Sequence, residues 1–220
     1  MSINQDGVQG FPLPFGMSSH TTCVFFDCET GGLLTTHPII ELAVVAVDMS
    51  SWEEIEIFDE KIVTDPTKCD PIALEVNHYS PEKWKDAIPE LEFIVKLGAF
   101  LNKYKNVRRM SKRGSPYYTT RVSGHNITGF DLERVSILFK KHHKFLAMDY
   151  SGALDTLRLA AWIFFLRPDL EAPRSYRLTD LAEYFKVKFE GEAHTALADT
   201  RVTVQVAKGL LDILTRKAWA

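Results

Sequence analysis

The stretch VFFDCETGGL, residues 24–33, carries three apolar residues straight into two acids. Such a run reads as a buried strand, and the turn that ends a strand favours acids and glycines. That accounts for Gly31 and Gly32. It accounts less well for Asp27 and Glu29, because unpaired charge beside Phe25 and Phe26 costs several kcal/mol unless something compensates. The compensator is either a base elsewhere in the chain or a metal ion. Two apart on a strand, the acids share one face and lie less than ~7 Å apart along the backbone. Carboxylates that close raise each other's pKa. A divalent cation removes the conflict, and Mg²⁺ prefers carboxylates, water and phosphate oxygens. Alone, D-x-E is a weak signal, since chance and surface pairs are common.

The 220 residues are 45% hydrophobic and 25% charged, the profile of an ordinary globular protein, and the length favours a single domain. A net charge of −3 supplies no global basic field, although an acidic metal site offsets basic patches elsewhere. Cys23, Cys28 and Cys69 form no CxxC pair. The odd separation of Cys23 and Cys28 puts them on opposite faces of one strand, so no bridge is expected between them. A reducing, cytoplasmic compartment is the expectation. No signal peptide and no bilayer-spanning run is read, so no membrane is expected. The sequon at Asn126 is read as chance.

Residues 1–20, rich in Gly, Pro and Ser and without a period, are expected to be a flexible extension. Residues 21–216 are expected to be the domain. Strands are expected at 21–27, 38–48 and 54–63, the second nearly continuous in apolar residues, as a strand buried on both faces would be. Residues 81–104 read as a helix with Leu91, Val95, Gly98 and Leu101 at helical spacing and Pro89 in a first turn. A short strand at 119–125 precedes an amphipathic helix at 131–147 with Leu132, Val135 and Phe139 inward. Helical patterns follow at 152–166, 177–187 and 195–217, the last with a core stripe of Ala198, Val202, Val206 and Leu210. The expected fold is an α/β domain, a mixed central sheet flanked by helices.

Two further segments place acids at element ends. VSGHNITGFDLERV puts Asp131 at a helix start, where an aspartate often serves simply as a cap. GEAHTALADTRVTV puts His194 before the last helix and Asp199 inside its first turns, on a face with the small residues Ala196 and Thr203.

In this order and spacing, FDCETGG, HNITGFD and HTALAD resemble the three motifs of the DnaQ-like, DEDDh family of 3′→5′ exonucleases. HPIIELAVV and DPIALEVNHYSPE resemble the family's second strand and the loop after its third. The likeness spans residues 22–214, and Thr30-Gly31-Gly32 stands where the family often has Thr-Thr-Gly. The resemblance implies a ribonuclease H-like fold and two Mg²⁺ or Mn²⁺ ions held by Asp27, Glu29, Asp131 and Asp199. Asp27 would bridge the ions, with Glu29 and Asp199 on the first and Asp131 on the second. It implies His194 as general base, a role that suits an imidazole whose unperturbed pKa, about 6.5, lies near operating pH.

At the substrate end, Gly31 and Gly32 lack side chains, so the backbone of Thr30 and Gly31 could approach a terminal nucleotide. Leu33 is either a wedge against the last base or a turn residue that packs down. By the resemblance, Asn77 would lie near the terminal 3′-hydroxyl and Tyr79 beside the sugar. Asn126 would either hold the loop before Asp131 or touch the substrate. Residues 105–118, KNVRRMSKRGSPYY, form the one basic and aromatic cluster. It is either a solvated loop or a nucleic-acid contact in which Arg108, Arg109, Lys112 and Arg113 track phosphates and Tyr117 or Tyr118 stacks on a base. The latter is favoured because the stretch leads into the second motif. His142 and His143 read as helix surface.

The leading expectation is a metal-dependent exonuclease acting on DNA, at single-stranded or frayed 3′ ends. An exoribonuclease of the same family is the alternative, since only 2′-hydroxyl contacts separate the two. An inactive binding module on this fold is disfavoured, because all four acids and the histidine are present. The chain ends soon after the last helix, at LTRKAWA, which favours a stand-alone enzyme or one docking on a polymerase by its surface.

Overall fold

Odd and even residues of the first strand face two different layers, and that alternation organises the molecule. The structure is a computed structural model, described over residues 21–188 and 195–215. The expected extension, residues 1–20, and His194 lie outside the described residues. β1 (Thr22–Thr30) pairs antiparallel with β2 (Ile39–Asp48), which pairs antiparallel with β3 (Glu53–Lys61). Between β3 and the other side of the sheet the chain forms α1 (Pro71–Val76), α2 (Glu90–Lys103) and a separate antiparallel hairpin of β4 (Lys105–Met110) and β5 (Pro116–Thr120). β6 (Val122–Gly124) then runs parallel to β1, and β7 (Leu154–Asp155) parallel to β6. The five-stranded order is β3-β2-β1-β6-β7. α3 (Asp131–Lys141) links β6 to β7, and α4 (Thr156–Leu166), α5 (Leu178–Phe185) and α6 (Ala196–Thr215) follow.

Val24, Phe26 and Cys28 of β1 join Leu42, Val44 and Ala46 of β2 in a core closed by Phe93 and Leu97 of α2 and Val135 and Phe139 of α3. Cys23 and Phe25, one residue out of phase, meet Val45 and Val47 under Val204 and Ala207 of α6. Burying each of Phe25 and Phe26 is worth roughly 1.5–3 kcal/mol. A third cluster of α4, α5 and α6 uses Ile163, Leu181, Val202, Val206 and Leu210. The expected α/β single domain is therefore present, and so are the inward faces of α3 and α6. Cys23, Cys28 and Cys69 are all free. Among the described residues no helix is long and apolar enough to cross a membrane.

Four element expectations need correction. The helix read at 81–104 begins only at Glu90, with Pro89 at its cap position. Its buried side is Phe93, Ile94, Leu97, Phe100 and Leu101, while Leu91 and Val95 are exposed. The spacing was right but the aromatic stripe beside it won the core, because larger rings bury more surface. Residues 105–118 are the β4–β5 hairpin rather than a loop, and Arg108 faces Tyr118 while Arg109 faces Tyr117. The helix read at 131–147 stops at Lys141. The pattern at 152–166 opens with β7, whose Asp155 caps α4 through the backbone N–H groups of Leu157 and Arg158.

Candidate active site

The alternation that builds the core also places the acids. Asp27 and Glu29 continue the row of Cys23 and Phe25, so they face α6, where Asp199 sits in the first turn. Carboxylate oxygens of Asp27, Glu29 and Asp199 lie within 4.8 Å of one another. Cys28 points the other way and meets Asp131, the first residue of α3. Asp131 Oδ1 accepts a hydrogen bond from the Cys28 backbone N–H at 3.1 Å and another from Cys28 Sγ at 2.9 Å. The capping role open to Asp131 is not the one it plays: Phe130 holds the cap position and makes no side-chain cap bond. The four acids thus wrap the end of β1 from both faces.

Their electrostatics run in one direction. Burial holds Asp27 well above the ordinary carboxylate range, and Asp131, Glu29 and Asp199 push it further. Burial, then Asp199, Glu41 and Asp131, raise Glu29 to about 8. Burial raises Asp131 to about 6, although the bonds from Cys28 pull it back. Everything acting on Asp27 and Glu29 disfavours their charge, so this arrangement is short of positive charge. Hard oxygen donors within reach of one another, lacking a counter-charge, fit a divalent cation. Asp27, Glu29 and Asp199 could hold one directly, with Asp131 beside them.

Two acids missing from the sequence reading support this cluster. Glu41 stands opposite Glu29 in the β1–β2 register, is buried, and reaches Lys61 Nζ at 3.5 Å. It also accepts a backbone hydrogen bond from Ala196 at the start of α6, which fixes the helix carrying Asp199. Its signal was a lone charge inside the apolar run PIIELAVV. Asp155 accepts from the backbone N–H groups of Asn126 and Thr128 and from Thr128 Oγ1, and so fastens the loop that delivers Asp131. Its signal was an aspartate directly before a helical pattern.

The expected substrate residues fall in two groups. Asn77 is buried and donates from Nδ2 to the Thr30 carbonyl at 2.8 Å, and Thr30 Oγ1 donates to the Gly32 carbonyl. The Gly31 N–H bonds Pro38 O and its carbonyl accepts from Asp70 N. A Cβ on Gly31 would collide with Cys69 Sγ, and Gly32 has φ +143°, so both glycines serve the turn itself. Tyr79 packs on Trp84, whose Nε1 donates to Ile40 O. A cavity of about 160 Å³ lies beside them, lined by Glu41, Lys61, Asn77, Trp84 and Thr195. Leu33, by contrast, is 85% exposed, so its side chain does not pack down onto the domain. Its carbonyl and that of Leu34 accept from the guanidinium of buried Arg134, which lies 4.5 Å over the Phe130 ring. Asn126 is exposed, with φ 54°, and its carbonyl accepts from Gly129 N in the loop before Asp131.

Residues 117–207 match the family RNase_T, described as exonuclease. Asp131, His194 and Asp199 fall inside that match, and Asp27 and Glu29 precede it. No curated protein sequence matches the chain. The fold is similar to that of E. coli exonuclease I in complex with a dT13 oligonucleotide, at TM-score 0.69 and 21% identity over 89% of this chain and 41% of that one. It is likewise similar to the zinc-bound E. coli exonuclease I–ssDNA complex (0.68, 20%, covering 90% and 42%). Exonuclease I from Methylocaldum szegediense gives 0.67 at 20%, covering 89% and 41%. The chain spans less than half the length of these proteins, and at such identity the likeness establishes the fold, ribonuclease H-like.

Proposed function

We propose that this chain, with its ribonuclease H-like fold, is a 3′→5′ exonuclease that acts on DNA and releases nucleoside 5′-monophosphates one at a time. The observation that carries the reading is the wrap of four acids around the end of β1, with every influence on Asp27 and Glu29 opposing their ionisation. Such a cluster is a poor structural device and a good cation site. Asp27, Glu29 and Asp199 would hold one Mg²⁺ or Mn²⁺, and Asp131 a second. Ions bound there supply Lewis-acid polarisation of the phosphodiester and stabilise charge on the attacking and leaving oxygens.

The chain's own residues do the rest. His194 takes the proton from the attacking water, a contribution of about 10²–10⁴-fold for a positioned base. Asn77 steadies the Thr30 carbonyl, and Thr30, Gly31 and Tyr79 form the wall against which the terminal nucleotide lies. Leu33, exposed at the turn, inserts against the last base. A paired end must first unstack, at a few kcal/mol, so single-stranded or frayed 3′ ends are preferred. DNA is favoured over RNA because solved structures of the similar E. coli enzyme hold DNA oligonucleotides. The domain is residues 21–216. Free, buried Cys23 and Cys28 suit a cytoplasmic setting, and a polymerase partner would dock on the surface.

The test is digestion of matched 3′-labelled single-stranded DNA, duplex DNA and RNA, in Mg²⁺ and in EDTA. Mononucleotide release from single-stranded DNA, faster than from RNA and abolished by EDTA, is the expected result. Faster release from RNA would favour the exoribonuclease reading, and no release from any of them the inactive module.

A further inference from the structure

The basic hairpin sits at the far end of the sheet from the acids. Asn106 Nδ2 donates to the carbonyl of Thr22, the first residue of β1, and Val24 N donates to Arg121 O just after the hairpin. The acids lie at the other end of that strand, five to seven residues on, about 20 Å away at ~3.3 Å per residue. The hairpin precedes the second motif in sequence, yet a terminal nucleotide in the acid site cannot touch it.

α3 spans the gap. It starts at Asp131, against Cys28, and runs about 16 Å at 1.5 Å per residue. The chain after it arrives at the hairpin, where Phe145 meets Tyr117 edge-on at 6.1 Å and Thr120 N donates to Ala147 O. Along α3 lies a groove of about 280 Å³ lined by Thr128, Glu133, Ser136, Ile137, Lys140 and Tyr150. One acid, Glu133, stands near its catalytic end and one base, Lys140, near its hairpin end.

Charge is segregated at that far end. Residues 105–121 contain six basic residues and no acid, and residues 134–148 contain no acid either. Arg109 and Arg121 share the single carboxylate of Asp149, and Lys141 pairs with Glu90. Arg108, Lys112, Arg113 and Lys144 are exposed and make no ion pair among the described residues. Phe145 is 69% exposed beside half-covered Tyr117. A basic track with exposed aromatic rings is the form taken by surfaces that follow a single strand without reading its sequence.

We propose that the part of a single-stranded substrate upstream of its 3′ end follows the α3 groove and is anchored on the β4–β5 hairpin and Phe145. The inference rests on the 3′-exonuclease reading for its polarity, while the anchor itself does not depend on catalysis. At the ~3.4 Å per nucleotide of a stacked strand, the anchor is reached only by substrates of about six nucleotides or more.

The experiment compares dT20 with dT3, using the triple variant Arg108→Ala, Lys112→Ala, Arg113→Ala and, separately, Phe145→Ala. All four side chains are exposed, so folding survives. The triple variant should raise KM for dT20 about tenfold and flatten its salt dependence by a slope of about 2, three phosphates at ~0.7 each. Phe145→Ala should raise it several-fold. Hydrolysis of dT3, which is too short to reach the hairpin, should not change. Fluorescence anisotropy of labelled dT20 in EDTA at low salt separates the anchor from the chemistry. Hairpin-dependent binding by a wild-type protein that releases no nucleotide would contradict the catalytic reading and support the anchor. Unchanged dT20 affinity in both variants would overturn the anchor and leave the surface to a protein partner. Equal losses on dT3 and dT20 would overturn it as well.

Discussion

Asp131 and Cys28 are joined twice: one carboxylate oxygen accepts from both the backbone N–H and the Sγ of Cys28, at 3.1 and 2.9 Å. Cys28 lies between Asp27 and Glu29, so the acid of the second motif is fastened to the residue separating the two acids of the first. Burial, Asp131 and Asp27 push the Cys28 thiol well above its ordinary pKa, which keeps it a donor.

Cys28→Ala removes one of the two bonds and leaves Asp131 held by the backbone alone. Turnover is expected to fall about fivefold, one bond's worth of positioning at ~1 kcal/mol, with Cys28→Ser restoring most of it. Steady-state rates at saturating Mg²⁺ measure this. A Cys28→Ala protein that loses stability in urea but keeps its turnover would limit Cys28 to packing.

Without metal, stability should fall as pH rises. Asp27, Glu29 and Asp131 have folded-state pKa values above their unfolded ones, near 4, and those of Glu29 and Asp131 are about 8 and 6. Between pH 4 and 8 the folded state therefore binds more protons than the unfolded state, and unfolding becomes easier with each step up in pH. In EDTA, Tm is expected to drop by at least about 5 °C from pH 5 to pH 8. Mg²⁺ should remove most of that slope, and Asp27→Asn should flatten it without metal. A Tm in EDTA that rises over this range would contradict the charge deficit assigned to the site.

How far the sequence alone carried depended on whether a signal was local. Asp27 and Glu29 announced themselves because two acids ended an apolar strand, and the period of two fixed their common face. The stripe of Val202, Val206 and Leu210 was equally readable from helical spacing. Leu91 and Val95 misled because spacing says which residues share a face but not which face finds a partner, and Phe93 and Leu97 found it. The hairpin was missed because its charged residues hide a strand period, and its distance from the acids depends on the parallel β1–β6 pairing, a contact remote in sequence. Glu41 and Asp155 act by holding Ala196 and the 126–128 loop, relationships that only the folded chain displays.

Arg134 holds the turn that presents Leu33, donating to the carbonyls of Leu33 and Leu34 from beneath. Arg134→Met keeps the apolar stem and removes both charge-assisted bonds, a loss of about 2–3 kcal/mol in urea denaturation. The same variant is expected to raise KM for 3′ ends with kcat reduced less, because the acids are untouched. Equal kinetic behaviour to wild type would show that the turn keeps its place without the guanidinium.

The central claim is that the acids at the end of β1 perform 3′-terminal phosphodiester hydrolysis. It is tested most directly by following 5′-labelled single-stranded DNA in Mg²⁺ with the wild type and Asp199→Ala. Asp199 shares its 4.8 Å cluster with Asp27 and Glu29 but lies on a different element, so its loss should leave β1 intact by circular dichroism. The expected wild-type result is a ladder shortening by single nucleotides with 5′-monophosphate release, and no shortening with Asp199→Ala. A folded Asp199→Ala protein that shortens the strand at the wild-type rate, or a wild type that cuts closed circular single strands, would contradict the claim.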